Sequence, residues 1–199
     1  MSSRKGPQHL FGLILSGVWA AFILGGNTFL LAKELMSAAK ALQDIFPLAT
    51  SFEAEILELD EKLKEGISAS AAITFDETHA PRVRIHTVLK NGEVIGYGLE
   101  DTVVGKWGPI HYLVGVDPEG TVREVIVLSY DEIRGKPVAK RRFLRQYQGK
   151  TPKDPLRLRK DIDGISGATI SSRSLTDGVR KLLFIFAAWR EINRESLSF

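Results

Sequence analysis

From Leu10 to Ala32 the chain reads LFGLILSGVWAAFILGGNTFLLA, 23 residues without a charge. At about 1.5 Å of rise per residue a helix of this length spans about 34 Å, enough to cross a bilayer. A cleaved signal peptide has an apolar region of only about 7–15 residues ahead of a small-residue cleavage site. This stretch is longer and runs into Lys33 and Glu34, so an uncleaved anchor is expected over 10–32. Arg4 and Lys5 precede it, with no acid among residues 1–9. That bias keeps a short tail, 1–9, in the cytoplasm and sends everything after Ala32 to the extracytoplasmic side. Gly17, Ala21 and Gly25 recur every four residues and line one helical face where a second membrane helix could approach closely. Small residues are also common in membrane spans generally.

Beyond the span the composition is that of a globular protein, 44% hydrophobic and 26% charged. The chain has no cysteine, which excludes disulfide frameworks, cysteine-ligated zinc or iron–sulfur centres and thiol nucleophiles. Redox chemistry here would need a cofactor held by something other than sulfur. Residues 33–46 carry apolar positions at helical spacing and stop before Pro47, which predicts an amphipathic stalk and a connecting segment over 33–80. Phe52 to Glu65 fits helical and strand periods alike, and its acids read as a solvated face.

From residue 81 the pattern alternates. Arg82 to Lys90 and the run from Glu93 flank Asn91-Gly92, a type I′ hairpin signal. Ile110 to Val116 and Thr121 to Ser129 flank the turn Asp117-Pro118-Glu119-Gly120. Four consecutive antiparallel strands are therefore expected. Helical character returns at Val138 to Tyr147, and a last helix is expected from about Leu175 to Asn193, capped by Ser172 or Ser174. Val179, Leu182, Phe186 and Trp189 would share its apolar face. The class is α+β, an antiparallel sheet with packed helices over 81–199.

Charge is uneven. Arg134 to Lys160 holds 11 Lys or Arg against the single acid Asp154, about +10, within a chain of net charge +3. Anionic lipid headgroups, a phosphate cofactor or an acidic partner would suit such a run, as would a plain solvated helix face. The extracytoplasmic address speaks against nucleic acid. His9, His79, His86 and His111 lie in different segments without ligand spacing, so no metal site is expected. His86 and His111 read as strand residues.

The informative segment is Asp163-Gly164-Ile165-Ser166-Gly167-Ala168-Thr169-Ile170-Ser171-Ser172. Small residues ending in hydroxyls ahead of a helix are one way to present backbone N–H groups to a phosphate, and Gly167 and Ala168 let the backbone come close. The spacing matches neither the dinucleotide-binding glycine fingerprint nor the Gly-Lys-Ser/Thr phosphate loop. A serine-rich helix start with ordinary caps would look the same.

The segment closely resembles the flavinylation motif of the FMN-binding domain family. That family includes flavin-bearing subunits of the sodium-pumping NADH:quinone reductase and of the Rnf ferredoxin-oxidising complex. Carried over, Asp163 is the acidic position, Ser166 the hydroxyl and Thr169 the acceptor, with Gly167, Ala168 and Ile170 flanking the cofactor. The resemblance implies FMN bound covalently to Thr169 through its phosphate, attached by a separate flavin transferase. No evident base lies beside Thr169 to activate a weak hydroxyl nucleophile. The likeness extends to Gly105-Lys106-Trp107-Gly108-Pro109-Ile110, to Glu132, which resembles the glutamate opening the family's Glu-Thr-Pro-Gly-Leu-Gly loop, and to Phe143, Gln146 and Gly149-Lys150. Ile133-Arg134-Gly135-Lys136 departs from that loop, so its flavin contacts do not transfer. Trp107 could cover the isoalloxazine or be a core aromatic.

By this resemblance the chain is a single-pass inner-membrane protein with a periplasmic FMN domain. It would have no catalytic residue of its own, relaying electrons in a respiratory or ion-translocating complex whose membrane-embedded redox subunits meet its span. Two other readings stand beside it: a self-sufficient flavin reductase of a small substrate, for which no second domain is present, and a non-redox bitopic adaptor.

Overall fold

The computed structural model describes residues 33–71, 73–75, 82–130 and 138–196. The expected tail 1–9, the span 10–32, His9, His79, Glu132 and the replaced loop 133–136 lie outside them. Among the described residues no helix is long and apolar enough to cross a membrane.

The expected meander forms. Strands β3 (Arg82–Lys90), β4 (Glu93–Val104), β5 (Pro109–Val116) and β6 (Val122–Tyr130) follow one another, each antiparallel to the next. Asn91 and Gly92 take φ of 53° and 86°, the two positive angles a type I′ turn requires. At the β5–β6 turn Gly120 takes φ 93° while its N–H donates to Asp117 O, and the Asp117 carboxylate accepts from Thr121 N.

Two edge strands complete a six-stranded sheet of order β1-β6-β5-β4-β3-β2. β1 (Lys33–Glu34) pairs with β6, and β2 (Ser51–Glu58) pairs with β3. The stretch that fitted both periods is thus divided: its first part is β2, and α2 (Glu61–Ala71) begins after Asp60, whose carboxylate accepts from Leu63 N. Because β1 and β2 sit on opposite edges, α1 (Ala38–Ile45) between them crosses one face of the sheet.

That helix was expected to be a stalk. It is docked instead, with Ala41, Leu42, Ile45 and Phe46 buried against Val88, Leu113 and Leu128. The sheet accepts it closely because its strands carry glycine there. A Cβ on Gly96 would collide with the Phe46 ring and sit 2.7 Å from Val116 O; one on Gly115 would lie 2.7 Å from Ile45 Cγ2. The amphipathic spacing was read correctly, but it could not say that the apolar stripe faces this chain's own sheet. Residues 33–71 therefore belong to the same fold as the meander.

The opposite face is covered by α4 (Thr169–Ser196), 28 residues and about 42 Å long. Leu175, Val179, Leu182, Leu183 and Phe186 are buried against Leu99, Val103, Tyr112 and Val114. In this core Lys181 Nζ lies 2.6 Å from Asp101 Oδ2, and both residues are buried. Tyr112 OH donates to the same oxygen at 3.2 Å. Burial first and the Asp101 charge second push the Tyr112 hydroxyl well above its ordinary range. Against β6 pack α3 (Arg141–Leu144) and a 3-10 turn, Arg145–Tyr147, so the expected helix at 138–147 is much shorter than its sequence suggests.

The two strand histidines meet. His86 Nε2 lies 2.7 Å from Glu100 Oε2, and His111 Nε2 lies 2.8 Å from Glu100 Oε1. Sequence spacing hid this cluster because the three residues sit on adjacent strands. Burial alone would raise the Glu100 carboxyl; the hydrogen bonds from His111 and His86 outweigh it and bring it from 4.5 to about 2. A folded-state value below the unfolded one gives stability that is complete above about pH 5 and lost as pH falls through 4.5 towards 2. Its size is on the order of 3 kcal/mol. Chemical denaturation between pH 6 and pH 2.5 is expected to show that loss, and Glu100→Gln to remove most of the dependence.

Candidate functional site

The motif loop is shaped by its own residues. Ile165 to Ala168 form a turn closed by Ala168 N donating to Ile165 O at 3.0 Å, with Gly167 at φ 80°. That is a type II geometry, which favours glycine at the third position. Ahead of the turn Gln146 grips Asp163 by its backbone: Asp163 N donates to Gln146 Oε1 at 2.7 Å, and Gln146 Nε2 donates to Asp163 O at 3.1 Å. The Asp163 side chain is left exposed.

The last helix starts at Thr169, six residues before its expected start. Ser172 and Ser174 are therefore interior helical residues and not caps. Serines and threonines read as loop because their hydroxyls usually compete for nearby backbone groups. Here two consecutive hydroxyls are engaged by other segments: Ser171 Oγ accepts from Lys106 N at 3.1 Å, and Ser172 Oγ accepts from Ile165 N at 3.3 Å. Both serines are fully buried. They tie the β4–β5 loop and the motif loop to the first turn of α4.

This brings the described sequence-predicted residues to one end of the fold; Glu132 lies outside the described residues. Thr169 is the first helical residue and is exposed, as are Ser166, Gly167 and Ile170, while Ala168 is buried beneath them. The β4–β5 loop turns tightly through Gly105 N donating to Gly108 O at 2.8 Å, and it holds Trp107 at 54% exposure. Of the two readings of Trp107, the core aromatic is excluded. Lys106 Nζ lies 4.8 Å from the centre of the Trp107 ring. Val104, Trp107 and Ile170 are all large apolar side chains more than half exposed around this end of the fold. Sequence reasoning did not find the roles of Ser171 and Ser172 or the weight carried by Gln146; their partners lie 7 to 65 residues away along the chain.

The helix end suits a phosphate. Its first turn contains no acid, and the position before Thr169 is Ala168, which has no side-chain acceptor to cap the free N–H groups. The positive end of α4 therefore lies at Thr169 without a counter-charge of its own in that turn. The exposed apolar side chains beside it offer surface to a flat aromatic ring.

Residues 105–183 match the model of the FMN-binding domain, a span that begins at the Gly105 turn and includes both loops and the start of α4. Over these 79 residues the chain is similar to the FMN-binding domain family. Among curated relatives, it is 26% identical over 156 residues to the G subunit of the Na(+)-translocating ferredoxin:NAD(+) oxidoreductase complex of Acetobacterium woodii, covering 73% of this chain and 72% of that one. It is 27% identical to the G subunit of the ion-translocating oxidoreductase complex of Stutzerimonas stutzeri, over 63% of this chain and 60% of that protein. The protein of the same name from Cereibacter sphaeroides is 26% identical over 79% of this chain and 80% of its own length. The crystal structure of Shewanella oneidensis NqrC aligns with a TM-score of 0.49 at 20% identity, over 71% of this chain and 81% of that one.

A Cβ at Gly167 would meet nothing within 4 Å, so replacement there tests conformation alone. Gly167→Ala forces an L-residue to positive φ and is expected to cost about 1–2 kcal/mol. Urea denaturation checks the cost.

Proposed function

We propose that this chain is a membrane-anchored, extracytoplasmic flavoprotein that carries FMN as a phosphoester of Thr169 and relays electrons within an ion-translocating oxidoreductase complex, as one of its subunits. The observation that carries this reading is exposed Thr169 at the start of α4, beside exposed Ile170 and in a first turn that Ser171 joins to the loop bearing exposed Trp107. The three relatives that are G subunits of such complexes support the assembly. The uncharged stretch 10–32 supports an anchor that meets membrane-embedded redox subunits, with 1–9 as a cytoplasmic tail and the soluble domain starting at about residue 33.

When bound, FMN accepts two electrons together and gives them up singly, which joins donors and acceptors of different electron number. The chain's own residues hold and tune it. Thr169 would supply the covalent oxygen, and the first-turn N–H groups would hold the phosphate. Gly167 and Ala168 keep the backbone close, and Ser166 and Asp163 border the approach that a flavin transferase would use. Trp107 and Ile170 offer apolar surface to the ring, and the Lys106 ammonium beside Trp107 favours the reduced, anionic form. A covalent tether keeps the cofactor on a protein exposed outside the cytoplasm.

The test is the intact mass of the protein purified from its native membrane, with peptide mapping across 162–173. The expected result is an added mass of FMN less one water on Thr169. Thr169→Ala is expected to lose that mass and any denaturation-resistant yellow colour, with stability changed by no more than about 0.5 kcal/mol, as for an exposed side chain. Flavin that stays bound through denaturation in this variant would overturn the assignment.

A further inference from the structure

Thr169, Arg173, Asp177 and Arg180 follow one another at intervals of four, four and three along α4, so they share one solvent-facing stripe. Beside the stripe lies a cavity of about 410 Å³ between α4, the 157–159 loop and Ile73 and Thr74. Four arginines line it, Arg157, Arg159, Arg173 and Arg180, against the single acid Asp177 among its described lining residues. The basic run at 134–160 pointed only to the first two. The other two come from the helix, and the fold brings the pairs together.

The loop that presents Arg157 and Arg159 is firmly set. Leu156 and Arg159 both take positive φ, 45° and 65°, an uncommon state for residues with side chains. Asp161 holds this conformation by accepting from Leu156 N at 3.1 Å, Arg157 N at 2.9 Å and Lys150 Nζ at 2.9 Å. Leu156 and Ile162 anchor the loop in the core. Asp161 thus turns inward, and the side chains of Arg157, Arg159 and Arg173 make no ion pair among the described residues. Burial first, and the nearby Arg157 charge second, lower the Arg180 guanidinium from its usual value.

We infer that the cavity lined by Arg157, Arg159, Arg173 and Arg180 is an anion site that takes a phosphate group, distinct from the flavin phosphate at Thr169. Guanidinium forks pair with phosphate and carboxylate oxygens alike, but four forks converging from two segments exceed what the two oxygens of a carboxylate can accept. Like charges gathered in a partly buried cavity repel one another, and a bound anion offsets that cost. A concave site also suits a small anion better than the face of a folded partner. The phosphate can come from an anionic lipid headgroup or from a soluble phosphate. The chemistry is the same, and the experiment separates the two.

The full chain in neutral detergent would be titrated by calorimetry with inorganic phosphate, and with dihexanoyl phosphatidylglycerol below its micellar concentration. Dihexanoyl phosphatidylcholine is the zwitterionic control. Saturable binding of about one equivalent is expected, weakened at least tenfold by Arg157→Gln or Arg173→Gln. Arg145→Gln, in the same basic run but outside this cavity, should leave it unchanged. Tighter binding of phosphatidylglycerol than of both phosphate and phosphatidylcholine assigns the cavity to a lipid headgroup; tighter binding of phosphate assigns it to a soluble anion. No saturable binding of any probe, or equal weakening by Arg145→Gln, would overturn the site. The Thr169→Ala chain is expected to bind as the flavin-loaded chain does. Binding confined to Thr169→Ala would show that the arginines receive the flavin's own phosphate and would also overturn the inference, while leaving covalent attachment itself to be judged by mass.

Discussion

The position of Thr169 depends on where α4 lies along the sheet, and the buried Asp101–Lys181 pair sets that position. An apolar helix on an apolar sheet has neighbouring registers of similar packing energy, one turn or about 5.4 Å apart. Any such shift would strand Lys181 and Asp101 in the core without each other, at a cost of several kcal/mol. Tyr112 adds a hydrogen bond to the same carboxylate, and Gly178 leaves it room, since a Cβ there would come within 2.7 Å of Val103 Cγ1. One ion pair deep in the core therefore decides where, about twelve residues away, Thr169 meets solvent.

Around that end the fold separates rigidity from exposure. The residues that fix the geometry act on backbone groups: Ser171 on Lys106, Ser172 on Ile165 and Gln146 on Asp163. The residues facing outward, Trp107, Ser166, Thr169 and Ile170, make few demands on the core and are available to a ligand. Such a division keeps a binding surface open to solvent while its backbone is held by the rest of the fold.

Much of the architecture was legible because it rests on local rules. The β3–β6 meander follows from alternation and from two turns whose glycines need positive φ, and the motif loop was located by residue type and resemblance. What was not legible depends on partners distant in sequence. The start of α4 was placed too late because the serines read as helix-breaking, and nothing nearby shows that loops far along the chain occupy their hydroxyls. The docking of α1 was missed for a related reason: amphipathicity says that a face is buried and not against what. The His86–Glu100–His111 cluster and the four-arginine cavity are products of strand and helix register, which no linear spacing displays.

The crossing of α1 carries a mechanical consequence. The segment 33–58 reaches both edges of the sheet, through β1 beside β6 and β2 beside β3, and its helix is seated among glycines in between. It works as a strap across an open sheet: a load applied at Lys33 would meet a two-residue ladder and the bonds from Leu35 N and Met36 N to Leu128 O. Sideways load then passes to the wedged rings and branches of Phe46, Leu42 and Ile45. A load applied at Lys33 would thus reach the domain as a whole-body displacement, and the start of α4, which bears Thr169, would travel with it without being bent.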